Sequence, residues 1–468
     1  MKAFVRRHRG KLLALCLLLS LPLCLHLGIR YRARLTPPPI ELPNGEVTTP
    51  APGLRTFGRA FATTRGKLLL VRLEGTPEQI GFSHARLMYR EMVENEGVML
   101  DRFSEHVPSR LARLLLLDLA QFRYRNVDRD MSADRLREIA AGARGFQPDP
   151  YADVFDTFQR FVYLNALYDI ALSFEHSPLI GCTTFTLHGD AVKNNHTLLA
   201  RAFDFEIDEV FDRRKAIFLV REAGKIPFAS VAWPGLVGVV SGMNAEGLAV
   251  VVHGARGGEA TSTGEPVVHA LRRVLGAARN LEQATALLRE REPMVSHIVI
   301  VADRNGDSAT LERVPGAPLH FFRHDKRAVT TNHFEGPARD DPKNIAVRGR
   351  TSTLARHQRG TQLLARLPPR ATMADAVALL RDRRGVNDAP LELGDRRAID
   401  ALIATHGVVM DTSDRTLWVS ESPHLLGRFV AFELPRLLAA DYDPQRDDQP
   451  LRAIPEDALL TNGDYDRR

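Results

Sequence analysis

Cysteine is scarce in this chain. Its 468 residues hold three, Cys16, Cys24 and Cys182, and the first two lie in an apolar stretch near the N-terminus. One cysteine in the body cannot build an intrachain disulfide framework. No Cys and His pair stands at metal-ligand spacing, so neither thiolate zinc nor another metal or organic cofactor is expected. Charge of one sign is lacking too: 63 Lys and Arg against 57 Asp and Glu leave a net +6. Past the N-terminus there is no basic block and no alternation of basic with aromatic residues, so nucleic acid is excluded as the expected partner. No internal repeat is found, and the RNGD stretch at 304–307 is too short for a calcium loop and reads as a hairpin turn.

The composition, 44% hydrophobic and 26% charged, is that of an ordinary globular protein. The N-terminal run differs. Leu12 to Ile29 make 18 positions without a formal charge, roughly 27 Å as a helix at about 1.5 Å per residue, enough for a thin bilayer. Residues 1–11 carry Lys2, Arg6, Arg7, Arg9 and Lys11, and Arg30, Arg32 and Arg34 follow the run. This excess predicts a cytoplasmic N-terminus, with 12–29 as a membrane anchor. A cleaved signal is the alternative. Either places the body on the extracytoplasmic side, membrane-anchored or exported.

Residues 30–54 are rich in Pro and turn formers and read as an extended linker. From 55 to 181 the apolar spacing is mostly helical, beginning at the Thr-Pro start of TPEQIGFSHARLM. After Gly181 the pattern turns to strands. CTTFTLHGDAVKNNHTLLARAFDF reads as a hairpin, and SGMNAEGLAVVVHG as another. Two helical patterns, more strands, two further helices and a last set of strands follow up to 440. Residues 441–468 read as a polar tail. Strands, helices, strands, helices and strands in this order predict two antiparallel sheets with helices outside them.

Cys182 stands where the helical part ends and the strand part begins. A small buried hydrophobe is one reading. A nucleophile is the other, and it requires a base, an electrophile stabiliser and access. Arg201 and Asp204 end the strand that pairs back toward Cys182. They could serve the thiol or form an ordinary cross-strand ion pair. Asn332 ends an apolar strand, where its amide could donate to an oxyanion or merely cap the strand. Phe185 and Trp233 read as core or pocket wall.

GTPEQIGFSHARLM, GCTTF, LLARAFDF, GMNAEGLAVV and TTNHF, in this order and over about residues 65–435, resemble the penicillin (isopenicillin-N) acyltransferase-type family of N-terminal nucleophile hydrolases. More distantly they resemble bile salt hydrolase, acid ceramidase and the phospholipase B-like proteins. The resemblance implies an α+β fold, a four-layer αββα sandwich with a helical pro-segment. It implies a precursor that cuts itself at Gly181–Cys182, leaving fragments 1–181 and 182–468 packed together. The freed α-amine of Cys182 would act as base, Arg201 would favour the thiolate, Asp204 would orient the amine and Asn332 would donate to the oxyanion. The substrate would be a small N-acylated molecule or lipid-like amide. A phospholipase B-like deacylase and a non-catalytic envelope protein are the alternatives. A second oxyanion asparagine of bile salt hydrolases has no counterpart here, and His253 or a backbone N–H at Gly254 is the replacement in view. Asn244 reads first as a turn residue and second as an oxyanion or substrate contact. Ser352 and Arg356 fall where relatives place a Ser or Arg near the site.

Overall fold

A computed structural model describes residues 20–174, 180–206 and 208–465. Two sheets dominate it. One has eleven strands and follows the chain from Thr48–Ala51 to His320–Arg323, with a single jump from Leu68–Gly75 to Ala216–Glu222. The other has seven, in the spatial order Arg327–Thr330, Ile180–Leu187, Leu198–Phe205, Ala404–Asp411, Thr416–Ser420, Phe429–Glu433 and Ala453–Ile454.

Strict alternation along the strands sets the layers. In the eleven-stranded sheet, Val251, Ile298 and Ile300 point inward to a core shared with Leu199, Val408, Met410 and Leu417 of the second sheet. Their neighbours Val250, Val252, Val299 and Val301 point outward, into a core built with the helices Pro77–Leu87, Ala133–Gly145, Thr157–Asn165 and Val267–Ala277. On the far face of the second sheet, Phe185, Ala200 and Val409 pack under the helices Thr353–Arg366 and Met373–Leu380. The order is helix, sheet, sheet, helix.

Three expectations need correction. The segment 30–54 is not a free linker: Ala33 and Leu35 are buried, and Thr48–Ala51 pairs with Leu54–Phe57 at the sheet edge. The 55–181 segment is not only helical, because Ala60–Arg65 and Leu68–Gly75 are strands of the large sheet. The polar tail returns to the body, where Ala453 and Ile454 pair with Val430 and Phe429. Residues 12–19 of the expected anchor lie outside the described residues. Residues 20–32 are helical, and among the described residues no helix is long and apolar enough to cross a membrane.

The helix Pro77–Leu87 starts on a capping box: Thr76 Oγ1 accepts from the Gln79 N–H, and Gln79 Oε1 accepts from the Thr76 N–H at 2.9 Å. Its buried face carries His84, whose Nε2 accepts the Gly235 N–H at 3.0 Å and ties this helix to a loop of the large sheet. Burial, then the charge of Arg272, hold His84 neutral and lower its pKa to about 3. The unfolded chain binds a proton here near 6.5, the folded chain only near 3, so this contribution to stability falls as pH drops below 6.5. Urea denaturation of the wild type and of His84→Gln at pH 6.5 and 5 should diverge. The wild type should lose about 2 kcal/mol more than the variant over that interval.

Candidate active site

The Cys182 and Arg201 strands form an antiparallel hairpin in which Gly181 faces Asp204, Cys182 faces Phe203 and Thr184 faces Arg201. Alternation divides the site into two faces. Cys182, Thr184 and Arg201 turn toward the large sheet, while Gly181, Thr183 and Asp204 turn toward the outer helices.

On the inner face Cys182 is fully buried. Arg201 Nη2 donates to Cys182 Sγ at 3.2 Å and to the Val252 carbonyl at 2.7 Å. Its Nη1 donates to the Val240 carbonyl at 3.2 Å and to Ser241 Oγ, and it lies 3.4 Å from His406 Nε2. The guanidinium carbon sits 4.1 Å from the centre of the Phe203 ring, a cation–π arrangement. An Arg201–Asp204 ion pair therefore does not form. Burial pushes the Cys182 thiol above its ordinary pKa, and Arg201 acts in the opposite sense without prevailing. The thiol is thus protonated at neutral pH.

On the outer face the backbone N–H of Cys182, the nitrogen of the Gly181–Cys182 bond, donates to Asn332 Oδ1 at 2.8 Å. Asn332 Nδ2 donates to the Gly254 carbonyl at 2.9 Å, and Thr353 Oγ1 accepts the Asn332 N–H at 2.9 Å. One Nδ2 hydrogen remains for another acceptor. Arg356 donates to Asn332 Oδ1 at 2.9 Å, to Thr183 Oγ1 at 2.8 Å and to the Cys182 carbonyl, and its Nε reaches Ser352 Oγ at 3.3 Å. Asp204 is buried against Gly181: a Cβ on Gly181 would stand 3.1 Å from Asp204 Oδ2. Asp204 Oδ1 has no hydrogen-bond partner among the described residues. Burial raises the Asp204 pKa, opposed first by Arg356.

Two of the expected residues, Asn244 and His253, have other employment. Asn244 spends its amide inside the turn and on the helix end, accepting from the Glu246 and Leu248 N–H groups and donating to the Leu275 and Ala278 carbonyls. His253 Nδ1 must donate to the Thr331 carbonyl at 3.0 Å, so Nε2 accepts from the Thr184 hydroxyl at 2.7 Å. Burial keeps this ring neutral, far below its ordinary pKa, and it has no N–H left for an oxyanion. Gly254 meets Asn332 through its carbonyl, an acceptor. Ser241, Tyr168 and His406 were not singled out from the sequence. Tyr168 lies on a helix of ordinary apolar spacing and His406 inside a buried strand, so neither carried a local signal.

Two cavities flank the hairpin. A polar one of about 90 Å³ is lined by Gly181, Asp204, Gly254, Asn332, Ser352 and Arg356 among others. An apolar one of about 230 Å³ is lined by Met99, Phe161, Tyr168, Phe203, Phe205 and Trp233 among others. Phe203, the cross-strand partner of Cys182, lines the apolar one.

Residues 191–420 match the family model described as acyl-coenzyme A:6-aminopenicillanic acid acyl-transferase, which bears out the resemblance to the penicillin acyltransferase-type family. The match begins beyond Cys182. An uncharacterized protein of Archaeoglobus fulgidus is 26% identical over 307 residues, 62% of this chain and 50% of that protein, so the chain spans about half the length of the curated relative it matches. Among solved structures, the Caenorhabditis elegans ortholog of N-acylethanolamine-hydrolyzing acid amidase is 15% identical, covers 50% of this chain and 93% of its own, and has a TM-score of 0.38. Penicillin V acylase from Agrobacterium tumefaciens is 16% identical, covering 54% and 92%, with a TM-score of 0.37. A mutant conjugated bile acid hydrolase from Clostridium perfringens is 11% identical, covering 59% and 97%, with a TM-score of 0.39.

Asn332→Ala, made in a Cys182→Ala background, strands the N–H of residue 182 and the Gly254 carbonyl. The expected loss is about 1–3 kcal/mol of stability relative to the single variant, measured by urea denaturation.

Proposed function

We propose that the chain is the precursor of a cysteine N-terminal nucleophile hydrolase or acyltransferase acting on amide bonds. The observation that carries this reading is the convergence on one peptide bond. Cys182 offers its thiol beside Arg201, and its backbone N–H is held by Asn332. Gly181 lies against a buried carboxylate with an unsatisfied oxygen. A buried acceptor without a donor is costly, and cleavage supplies the donor. The thiol attacks the Gly181 carbonyl, and its proton passes to the departing Cys182 nitrogen as the C–N bond breaks. Water then hydrolyses the thioester, which frees the Gly181 carboxylate, the thiol and a new α-amine.

That amine keeps Asn332 Oδ1 as one partner and gains Asp204 Oδ1 as another. Its ordinary pKa, about 7.7–8.0, suits a general base near neutrality. It takes the thiol proton as Sγ attacks a substrate amide, and it returns the proton to the leaving amine. The remaining hydrogen of Asn332 Nδ2 supports the oxyanion. Arg201 stabilises the thiolate-like sulfur of the transition state. Arg356, through Asn332 and Thr183, is a positioning residue. The apolar cavity beside Phe203 suits the acyl part of the substrate, and the polar cavity suits the amine part.

The fragments stay together because the large sheet is built from both. Leu69 to Gly75 from the first pair in parallel with Ala216 to Glu222 from the second, and the core on the helical side draws on both fragments.

Intact mass and N-terminal sequencing of the purified protein should give a chain that begins at Cys182. Cys182→Ala should remain whole and hydrolyse no N-acyl amide. An uncut wild type with full activity would remove the self-cleavage step. Faster turnover of phospholipid esters than of N-acyl amides would move the reading to a phospholipase B-like deacylase.

A further inference from the structure

Two exposed apolar surfaces stand beside each other on the helical side of the molecule. On the helix Arg110–Arg123, Leu111, Leu115, Leu119 and Phe122 are 66%, 56%, 62% and 49% exposed. At 3.6 residues per turn these four fall within about 80° of one another, a single stripe. Contiguous apolar surface of this kind marks an interaction site in a folded protein. The helix over 20–32 leaves Leu21, Leu23, Leu25 and Leu27 exposed as well, and it continues the uncharged run that begins at Leu12. His26 Nδ1 meets Asp118 at 2.7 Å, at the edge of the Leu111–Phe122 stripe, and Arg30 donates to the Val154 carbonyl at 3.2 Å. These contacts hold the two helices to one side of the body.

Basic residues frame both helices. Arg110, Arg113, Arg123 and Arg125 lie at the ends of the first, with the Arg125 guanidinium 4.7 Å from the Phe122 ring centre. Arg30, Arg32 and Arg34 close the second. An apolar stripe framed by arginine, beside a second helix with exposed leucines, matches the acyl chains and phosphate headgroups of a lipid surface.

We infer that this face docks on a lipid bilayer. The Leu111–Phe122 stripe lies among the acyl chains, beside the helix over 20–32. A second copy of the chain is disfavoured as occupant, because it would bring two sets of arginines together. The docked helix is also joined to the candidate active site. Tyr124, at its end, shares a 2.5 Å hydrogen bond with Ser173. Ser173 closes the helix Leu167–Leu172, whose Tyr168 and Ala171 line the apolar cavity and whose Leu172 lines the polar one. Delivery of lipid-like amides from the bilayer to Cys182 follows if the amidohydrolase reading holds; the docking itself does not rest on it.

The test uses the full chain in phosphatidylcholine–phosphatidylglycerol vesicles. Phe122→Trp adds a reporter to the two native tryptophans, Trp233 and Trp418, both buried. Brominated acyl chains should cause a loss of the added emission that unbrominated chains do not. Leu115→Glu with Leu119→Glu should remove that quenching while circular dichroism stays unchanged. Added emission that brominated chains leave intact in vesicle-bound protein overturns the proposal. So does an emission shift that follows protein concentration rather than lipid, which would assign the face to a second copy. Amidase rates do not enter the readout, so failure of the catalytic reading leaves this test standing.

Discussion

A single guanidinium, that of Arg201, joins the two sheets at the sulfur of Cys182. It rises from the inner face of the smaller sheet and spends its donors on Val240, Ser241 and Val252 of the larger one. Burying a cation is expensive unless its donors are used. Here the carbonyls, a hydroxyl and the thiol share its two Nη groups, Nε has no partner among the described residues, and the face of Phe203 covers the cation. The distance between the sheets at this point is therefore set by the reach of one arginine. The position of Cys182, one strand away in register, is set with it. A hydrophobic contact would have joined the sheets as firmly, but it would have left no positive charge beside the sulfur.

The two faces of the hairpin divide the chemistry. Alternation sends the thiol inward to Arg201 and sends Asp204 outward to Arg356 and the helix Thr353–Arg366. The backbone nitrogen of Cys182 lies in the sheet between them, where it meets Asn332. A side-chain base would have to reach the thiol from one face only. The amine that the proposed cleavage would generate at that nitrogen would address both. The nearby imidazoles cannot serve as the base, because burial holds His253 and His406 neutral at pKa values far below the ordinary one, and His253 has both ring nitrogens engaged. Buried neutral histidine is a structural element throughout this fold, as at His84.

Local pattern in the sequence made the hairpins legible, because strand alternation and Asn-Gly-Asp turn chemistry act over a few residues. It brought Cys182, Arg201 and Asp204 to one hairpin for the same reason. Leu68–Gly75 was not legible as a strand of the large sheet. Its parallel partner Ala216–Glu222 lies more than a hundred residues on, across the whole helical segment, and nothing local announces it. Arg356 entered through family resemblance alone. The helix TLARHQRGTQLLAR carries three arginines, and only packing decides that Arg356 turns to the site, Arg359 to Asp382 and Arg366 to Asp388. The replacement oxyanion group expected at His253 failed on a hydrogen bond. The carbonyl of Thr331, invisible in the sequence around His253, takes the only N–H that a neutral ring has.

Under the proposed self-cleavage, activation and access would be linked by the same peptide bond. In the intact chain Gly181 lies against Asp204, with room for a hydrogen but little for a methyl group, and it also lines the polar cavity. A larger residue there would press on a buried carboxylate, so glycine is a steric requirement of the packed strand. Breaking the bond after Gly181 would release that packing. Asp204 would exchange a hydrocarbon neighbour for an amine donor, and the cavity beside Asn332 would gain the volume that the glycine leaves. The unsatisfied Asp204 oxygen would thus be stored in the precursor and satisfied in the product, which gives cleavage a favourable term within the fold itself. The strand Ile180–Leu187 would keep its pairing from Cys182 onward, so the nucleophile would stay in place while the strand ahead of it departs.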